Sequence, residues 1–371
     1  MNDSHLLHYM KVLEHKLKCH RISVYGISNY DDVFRVSEKK LSSLKINQVF
    51  DDIAERVIKN RSYREYNRDI EHINDAIVKL KKTRLKEKVI LGGNATNISL
   101  GLAALGNDVH LNVKRTTPQM IKQMKSKGIK SIKSSIDEAA HHLIVQVKEH
   151  ADRFIISPDY GLKEPELVDF TESGTDFAVY SGAHLDAKNE SVQSELLRRV
   201  KNISQKSKLY FEMGSGSRMA EDNCIKVSSY ADIVGMNEVE LETLANGNNL
   251  EEKAMEYQKT YMKKDSLLVV HTVKGSLAVS RKPVDNIQMA QALGHFSGTS
   301  RYIYGRYINF GEMRKRFEKL VLYDRKIQNT GDNVSWVPGI RYDGEGLAVG
   351  SGDGYVAGFV TGYLNFCNPK N

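Results

Sequence analysis

The feature that most constrains the fold is a series of short apolar runs that alternate with longer helical patterns. The runs span residues 154–157, 177–181, 208–212, 233–236, 267–271 and 276–279, and helical patterns span 190–204, 220–230 and 238–261. This alternation predicts crossover units of strand, helix and strand, and therefore a mostly parallel sheet. Ligands of such sheets bind beyond the carboxyl ends of the strands, so the residues after each strand are the first candidates for function.

The first part of the chain shows a similar organisation with less regular spacing. Apolar residues at helical spacing predict a helix over residues 4–18, and residues 22–25 are a predicted strand followed by a loop over 26–32. A charged stretch with an apolar stripe predicts one long helix over residues 50–82. The segment 90–113 then predicts a glycine loop, a helix of small residues, a turn and a strand.

Composition excludes several classes of protein. The chain has 371 residues, of which 40% are hydrophobic and 27% charged, as in ordinary globular proteins and unlike disordered chains or coiled-coil rods. Mean hydropathy is −0.45, and the apolar runs are far shorter than the roughly 20 residues of a membrane span. Three widely spaced cysteines without a CxxC pair indicate a reducing compartment. Because no apolar signal segment follows Met1, we expect a cytoplasmic protein that binds no membrane.

The chain carries a modest positive charge. It has 54 Lys and Arg against 46 Asp and Glu, a formal net charge of +8. Seven of the basic residues lie in the segment 114–133, which has no acidic residue. Such a run is typical of a solvated helix face, and alternatively of a cationic edge on a lid over an anionic ligand. A nucleic-acid-binding protein is a competing function, but the chain lacks a recognisable nucleic-acid module, and we expect no nucleic-acid partner.

The segment 348–364, AVGSGDGYVAGFVTGYL, is the most informative for function. Gly350, Ser351 and Gly352 precede Asp353 at the start of a predicted apolar helix. Backbone N–H groups of such a turn, together with the positive end of the helix, stabilise an anion. Asp353 can accept a proton from a hydroxyl that attacks phosphorus, so the segment suits phosphoryl transfer to an alcohol. The structural alternative is a glycine-rich turn in which Asp353 caps the helix.

Acidic residues follow two of the predicted strands. Glu212 ends the strand in the segment 209–217, and Asn237 and Glu240 follow the strand at 233–236. Oxygen ligands at one edge of a sheet suit Mg²⁺, held directly or through water on nucleotide phosphates. The alternative is ordinary capping of the first turn of a helix.

Two further groups of polar residues follow strands in the first part of the chain. Asp31 and Asp32 come after the first strand, where a carboxylate can bind two sugar hydroxyls or form part of a β-turn. Gly92, Gly93 and Asn94 allow the backbone to approach a ligand closely. The alternative interpretation of these three residues is a tight turn in which Asn94 caps the helix.

The strand at 267–271 ends in His271 and Thr272, before a turn at Lys274 and Gly275. A histidine in such a place is more often structural than catalytic. The chain contains neither a P-loop nor a dinucleotide-binding glycine motif after the first strand, and it has no HExxH and no zinc-spaced Cys/His cluster.

Taken in order, these motifs resemble the ribokinase-like sugar kinase superfamily, and more closely its archaeal-type ADP-dependent glucokinase and phosphofructokinase family. The motifs are Asp32 after the first strand, GGN at 92–94, FEMGS at 211–215, GMNEVEL at 235–241, VVHT at 269–272 and VGSGD at 349–353. The segments 70–82, 152–159 and 179–185 are also similar to the family. The resemblance covers about residues 22–364.

The resemblance implies an α/β fold that is ribokinase-like, with a Rossmann-like three-layer sandwich, a mostly parallel central sheet and a small β-rich lid. One large domain would span residues 1–371, with a discontinuous lid drawn from about 28–50 and 111–180. The implied function is an ADP-dependent sugar kinase of carbohydrate metabolism that phosphorylates glucose or fructose 6-phosphate with the help of Mg²⁺. A nucleotide and a sugar are the expected partners, and we expect a monomer or a small homo-oligomer.

The resemblance also implies roles for individual residues. Asp353 would be the catalytic base, and the anion hole would be formed by Gly350, Ser351 and Gly352. The sugar would be bound by Asp32, Gly92, Gly93 and Asn94. The nucleotide would be bound by His271, Thr272, Gly275 and Asn237, and the metal would be held by Glu212 and Glu240.

The chain departs from the family pattern in several places. It is shorter, which indicates a reduced lid. Its loop before the sugar-binding Asp reads Ser28-Asn29-Tyr30-Asp31, and its GG loop continues as Asn-Ala-Thr-Asn, closer to the ATP-dependent ribokinase branch. An ATP-dependent kinase of a sugar or nucleoside is therefore an alternative function, and a non-catalytic protein that senses sugar or nucleotide is another.

Overall fold

The structure is a computed structural model, and it describes residues 17–60, 64–149, 153–158, 175, 177–182, 190–214, 218–317, 321–323 and 333–367. The helix predicted over residues 4–18 lies almost entirely outside the described residues. No helix in the described part of the chain is both long and apolar enough to cross a membrane.

Strands are distributed along the whole described chain. They are β1 (Arg21–Gly26), β2 (Asn29–Val36), β3 (Arg64–Arg68), β4 (Glu87–Gly92), β5 (Asp108–Arg115), β6 (Ser131–Ile136), β7 (His141–Val147), β8 (Arg153–Pro158), β9 (Phe177–Ser181), β10 (Lys208–Glu212), β11 (Ile233–Asn237), β12 (Leu267–His271), β13 (Gly275–Ser280), β14 (Val321–Leu322), β15 (Val334–Pro338) and β16 (Ile340–Arg341).

Helices connect most of these strands. They are α1 (Glu38–Ser43), α2 (Gln48–Asn60), α3 (Ile70–Lys82), α4 (Asn94–Ala104), α5 (Pro118–Ser126), α6 (Glu190–Lys206), α7 (Arg218–Ser228), α8 (Glu238–Leu244), α9 (Leu250–Tyr261), α10 (Ile287–Tyr304), α11 (Phe310–Arg316) and α12 (Ser351–Phe366).

The larger sheet has nine strands, in the spatial order β15, β13, β12, β11, β10, β9, β1, β5 and β6. Every pairing from β12 to β6 is parallel. Only β13 runs antiparallel to its neighbours in this sheet, β12 and β15. This arrangement confirms the mostly parallel sheet that the alternating runs predict.

Helices cover both faces of the larger sheet because alternate residues of its strands point to opposite sides. Phe211 of β10 is buried in one cluster with Leu196 of α6. Its neighbour Tyr210 is buried in another cluster, with Ile98 of α4 and Phe359 of α12. The result is a three-layer α/β sandwich, which confirms the expected fold class.

The smaller sheet has five strands, in the spatial order β3, β8, β7, β2 and β4. Its outer face packs against α2 and α3, where Phe34 of β2 shares a buried cluster with Ile53 and Ile77. Its inner face contacts the segment that leads into α12, because Val33 and Ile144 pack against Leu347 and Val349. The chain therefore has the small β-rich lid that the resemblance implies.

The single long helix predicted over residues 50–82 is wrong. Helix α2 ends at Asn60, β3 occupies Arg64–Arg68, and α3 begins at Ile70. Strand β3 lies at the edge of the smaller sheet and has the sequence REYNR. Such a charged sequence lacks the apolar alternation that identifies a strand.

The segments that build the smaller sheet also differ from the expected ones. Its strands come from residues 29–92 and 141–158, whereas β5, β6 and β9 belong to the larger sheet. The basic segment 114–133 consequently lies at the edge of the larger sheet. Five of its six lysines, at positions 122, 125, 127, 130 and 133, are exposed, which favours the solvated face over the cationic lid edge.

Candidate active site

A cavity lies between the larger sheet and the inner face of the smaller one. The strands β10, β11 and β12 end at it with Glu212, Asn237 and His271, so it occupies the edge where parallel sheets bind ligands. The sequence-predicted residues that line it are Gly93, Asn94, Glu212, Asn237, Glu240, His271, Gly350, Gly352 and Asp353. The cavity therefore brings together members of all the predicted groups.

The start of α12 forms one wall of this cavity. Gly350 is the N-cap of the helix and has a φ of +76°, a left-handed conformation that glycine adopts most easily. Ser351 Oγ donates a hydrogen bond of 2.8 Å to the Ala348 carbonyl and closes the preceding turn. Asp353 lies in the first turn of the helix, so the alternative in which Asp353 is the cap is wrong.

The surroundings of Gly350 are tight for a side chain. A Cβ atom at this position would lie 3.0 Å from Tyr307 Oη, 3.1 Å from Arg301 Nε and 3.2 Å from Asn97 Cγ. The hydroxyl of Tyr307 also donates a hydrogen bond of 3.1 Å to the Gly350 carbonyl. The turn that carries the backbone N–H groups is thus fixed from behind by three side chains.

The ionisation of Asp353 is shifted toward neutral pH. Burial raises the pKa of Asp353 to about 7, and the negative charge of Glu212 acts in the same direction. Arg301, Arg153 and a hydrogen bond with Asn97 act in the opposite direction. A carboxyl group with a pKa near 7 can accept a proton at neutral pH and later return it.

Glu212 is held at the end of β10 by two neighbouring side chains. Its Oε1 lies 2.9 Å from His271 Nε2, and its Oε2 accepts a hydrogen bond of 2.9 Å from Tyr210 Oη. Burial alone would lower the pKa of His271, but the charge of Glu212 and their hydrogen bond outweigh it and raise the pKa. His271 therefore orients Glu212 as well as lining the cavity.

Asn237 and Glu240 form a capping box at the start of α8. Asn237 Oδ1 accepts a hydrogen bond of 2.9 Å from the Glu240 N–H, and Glu240 Oε2 accepts one of 2.8 Å from the Asn237 N–H. Both residues also line the cavity. The capping alternative is therefore confirmed, and the same two side chains remain available at the cavity wall.

Of the two adjacent carboxylates in β2, only Asp31 lines the cavity. Burial raises its pKa to about 7, against the effect of a hydrogen bond from Asn29. Asp32 points to the opposite face, where its Oδ2 lies 2.7 Å from His141 Nδ1. The position expected for Asp32 at the sugar is thus occupied by Asp31, because successive side chains of a strand alternate between its faces.

The glycine loop before α4 supports Asp31. A Cβ atom on Gly92 would lie 2.2 Å from the Asp31 carboxyl carbon, so Gly92 packs beneath that carboxylate without lining the cavity. Gly93 has a φ of +85° and is the N-cap of α4, which makes Asn94 the first helical residue and not the cap. Gly93 and Asn94 line the cavity directly.

A second cavity of about 470 Å³ lies beside the first, at the ends of β11 and β12. Glu238 and Thr272, the residues that follow Asn237 and His271, line it together with Trp336. Gly275 lines neither cavity, but a Cβ atom there would lie 2.4 Å from the Trp336 ring. Of the four predicted nucleotide-binding residues, Thr272 therefore lies in the second cavity and Gly275 beneath its aromatic wall.

Several residues at the site have no counterpart in the sequence prediction. His142 and Arg153 line the cavity from β7 and β8, and Asn97 lines it from α4. Arg301 of α10 is 3% exposed, and its Nε and Nη1 have no hydrogen-bond partner among the described residues. Its guanidinium lies 5.2 Å from the centre of the Tyr307 ring. Arg301 belongs to the segment 290–336, for which the sequence shows no recognisable motif.

Within the described residues, no group of three or more Asp, Glu, His or Cys side chains is arranged to hold a metal ion alone. Glu212 and Glu240 nevertheless line the same cavity, and a carboxylate offers oxygen ligands of the kind that Mg²⁺ prefers. Mg²⁺ keeps several waters and is usually bound by one or two carboxylates plus substrate phosphates. The donor set therefore fits Mg²⁺ that is shared with a nucleotide.

Comparison with known protein families gives one match. A model described as the conserved region of ADP-specific phosphofructokinase/glucokinase matches residues 64–289, more than half of the chain. No curated protein matches the sequence.

Solved structures share the fold over 71% to 99% of the chain. An ADP-dependent kinase in complex with fructose 6-phosphate and ADPβS has a TM-score of 0.77 and 13% identity, covering 99% of this chain and 98% of its own. A phosphofructokinase from Pyrococcus horikoshii OT3 with AMP has a TM-score of 0.68 and 17% identity, covering 94% and 98%. Adenosine kinase from Sinorhizobium meliloti has a TM-score of 0.51 and 13% identity, covering 71% and 78%. The chain therefore shares the fold of these kinases.

Proposed function

Because the chain belongs to the ADP-specific phosphofructokinase/glucokinase family, we propose that its cavity transfers the β-phosphoryl group of ADP to a sugar hydroxyl with Asp353 as the general base. The protein is an ADP-dependent sugar kinase. The observation that carries the proposed mechanism is the placement of Asp353, with a pKa of about 7, beside the N–H groups that begin α12.

In the proposed reaction, the sugar hydroxyl gives its proton to the Asp353 carboxylate as its oxygen attacks the β-phosphorus of ADP. A new bond forms between that oxygen and phosphorus, the bond from phosphorus to the bridging oxygen breaks, and AMP leaves. The backbone N–H groups of Gly350 and Gly352, which line the cavity, would face the charge that develops on the transferred group. The Ser351 N–H, which the resemblance also assigns to the anion hole, instead donates a hydrogen bond of 3.3 Å to the Ala348 carbonyl. Phosphoryl transfer needs mainly this positioning and electrostatic stabilisation from a protein.

The sugar would bind between the smaller sheet and the start of α4. Asp31, Gly93 and Asn94 provide a carboxylate, a backbone that permits close approach, and an amide that both donates and accepts. His142 and Arg153 face the same cavity from the lid strands. A guanidinium in this position supports a phosphorylated sugar such as fructose 6-phosphate as the acceptor over free glucose, since it can pair with a phosphate.

The nucleoside part of ADP would bind in the second cavity. Thr272 and Trp336 line it, and it opens at the ends of β11 and β12 where Asn237 and His271 face the first cavity. This arrangement would set the phosphates between the two cavities, near the start of α12. ADP is proposed over ATP because of the family to which the chain belongs.

Mg²⁺ is the proposed cofactor. Glu212 and Glu240 would hold it, directly or through its waters, and it would neutralise phosphate charge when bound. His271 and Tyr210 would keep Glu212 oriented, because both already bond its carboxylate.

The experiment that tests this function is a phosphoryl-transfer assay of the full chain with Mg²⁺. ADP and ATP are each combined with glucose, fructose 6-phosphate, ribose and nucleosides, and the Asp353→Asn variant is assayed with the best pair. We expect turnover with ADP and fructose 6-phosphate, and a loss of at least about 10²-fold in kcat in the variant, since proton transfer contributes typically that much.

Other outcomes would contradict specific parts of the proposal. Turnover with glucose alone would reject the phosphorylated acceptor, and turnover with ATP alone would reject the donor. Near-normal turnover of Asp353→Asn would remove the proposed base. Thermal stabilisation by sugar and nucleotide without turnover would indicate a sensor.

A further inference from the structure

The segment 345–349 leads directly into the turn that carries the proposed anion hole, and it passes across the inner face of the smaller sheet. Its residues 346–349 are buried, whereas Glu345 is exposed. Buried backbone N–H and C=O groups need partners, and this segment belongs to neither sheet. The groups that satisfy it therefore determine where the turn at Gly350 lies.

Two of these backbone groups are bound by one side chain from the lid. Gln146 of β7 donates a hydrogen bond of 2.8 Å from Nε2 to the Gly346 carbonyl, and its Oε1 accepts one of 3.1 Å from the Ala348 N–H. The side chain is 1% exposed. Beside it, Arg35 of β2 forms an ion pair of 2.9 Å with Glu345. The lid thus holds the segment as a neighbouring strand would.

The opposite side of the segment is bound by the larger unit. The Leu347 N–H donates a hydrogen bond of 2.7 Å to the Tyr302 carbonyl of α10. A Cβ atom on Gly346 would lie 2.2 Å from the Tyr302 ring, so the backbone approaches that ring as closely as a glycine allows. Ala348 in turn accepts the hydrogen bond from Ser351 Oγ. The segment is therefore clamped between the lid and the helix layer.

From this geometry we infer that Gln146 is a positioning residue that couples the placement of the lid to the placement of Asp353 and the α12 N–H groups. Both hydrogen bonds of Gln146 form only when β7 lies against residues 346–348. A lid that moves away either releases the segment or draws it, with Gly350, out of place. The inference rests on the proposed function, because it assigns Gln146 a role only if Asp353 and this turn perform the transfer.

The test compares variants of Gln146 with a matched buried amide elsewhere. Gln146→Met keeps the length of the side chain and removes both hydrogen bonds. Gln146→Glu keeps the acceptor for the Ala348 N–H, loses the donor to Gly346, and has Arg35 and Arg153 beside it on the flanking strands. The control is Gln258→Met in α9, because Gln258 is 2% exposed and bonds Ser266 and Arg281 far from the cavity.

We expect Gln146→Met to lower kcat by about tenfold or more and to change KM for ADP by less than about twofold, because the nucleotide-binding strands are untouched. The kcat of Gln146→Glu should lie between that of Gln146→Met and that of the wild type. Gln258→Met should lose thermal stability by a similar amount and keep kcat within about twofold of the wild type.

The inference is overturned if folded Gln146→Met keeps wild-type kcat, or if Gln258→Met loses as much kcat as Gln146→Met. Should Gln146→Met fail to fold, Gln146→Glu decides alone: a wild-type kcat overturns the inference and a reduced kcat with unchanged KM for ADP supports it. Failure of the proposed function is seen separately, as an inactive wild type or an active Asp353→Asn.

Discussion

At the scale of single residues, the faces of strand β2 separate two adjacent carboxylates with different surroundings. Asp31 meets the cavity above Gly92, whereas Asp32 forms its ion pair with His141 on the other side of the sheet. Only a carboxylate on the inner face can exchange hydrogen bonds with a sugar. Substitution of Asp31 should therefore affect catalysis, whereas substitution of the neighbouring Asp32 should mainly affect stability.

Neutralising each carboxylate in turn tests this difference. Asp31→Asn should lower kcat/KM for the sugar by about 10²-fold, because a buried charged acceptor of substrate hydroxyls is lost. Asp32→Asn should change kcat/KM by less than about threefold and should lower thermal stability, since it weakens the contact with His141 and leaves the cavity lining unchanged. Steady-state kinetics with varied sugar checks both. A larger kinetic effect at Asp32 would reverse the assignment.

The sequence could identify the pair of acids but not the correct member. Residues 26–32 follow an apolar run and contain Gly and Asn, so they have the composition of a loop. In the structure β2 begins at Asn29, and once a strand is present its alternation decides which carboxylate faces inward. Arg301 was beyond prediction for another reason: its role depends on the packing of α10 behind Gly350, which leaves no local signature.

At the scale of elements, the start of α12 depends on a glycine with both an unusual backbone conformation and crowded surroundings. Gly350→Ala should lower kcat at least about tenfold, because the added methyl group must displace Tyr307, Arg301 or Asn97 and move the turn. A left-handed conformation at a residue with a side chain should also cost about 1 kcal/mol of folding free energy.

Gly106→Ala is the matched control for this variant. Gly106 has a φ of +90°, but a Cβ atom there would have no neighbour within 4 Å. The Gly106→Ala substitution should therefore lower thermal stability through backbone strain while leaving kcat within about twofold of the wild type. Equal loss of kcat in the two variants, measured beside their melting temperatures, would show that strain alone explains the effect at Gly350.

The elements that sequence predicts well are those with buried faces on both sides. Strands β10, β11 and β12 are continuous apolar runs whose last residues, Glu212, Asn237 and His271, meet at the cavity as expected. The lid strands are harder to predict because their inner face carries polar residues that line the cavity, such as Asp31 and His142, and because β3 lies at an edge. Their partners also come from distant segments, and pairing between such segments is not encoded locally.

At the scale of the whole molecule, the two buried carboxyl groups of the site reduce stability as pH rises. Asp31 and Asp353 have pKa values raised by burial to about 7, against 3.8 in the absence of the fold. Between these values the folded chain keeps protons that the unfolded chain has released. Their contribution to stability is therefore full below about pH 4 and is lost as pH rises through about 7.

Asp353→Asn removes one of these groups, so the variant should lose activity and gain stability at pH values above about 7. Since asparagine cannot ionise, the variant should melt at least about 2 °C above the wild type at pH 8. The two melting temperatures should converge as pH falls below about 3.8, where Asp353 becomes protonated in the unfolded state as well as in the folded state. Calorimetry at several pH values checks this, and identical melting temperatures at pH 8 would mean that burial does not raise this pKa.

The interleaving of the two sheets also sets the order in which they can be completed during synthesis. All five strands of the smaller sheet have left the ribosome once residue 158 has emerged, whereas β1 lies between β5 and β9, and β9 follows only at residues 177–181. A nascent chain can therefore assemble the lid while β1, an inner strand of the larger sheet, still has an unpaired edge. This interval is where binding by a chaperone would protect the growing chain, because open strand edges aggregate.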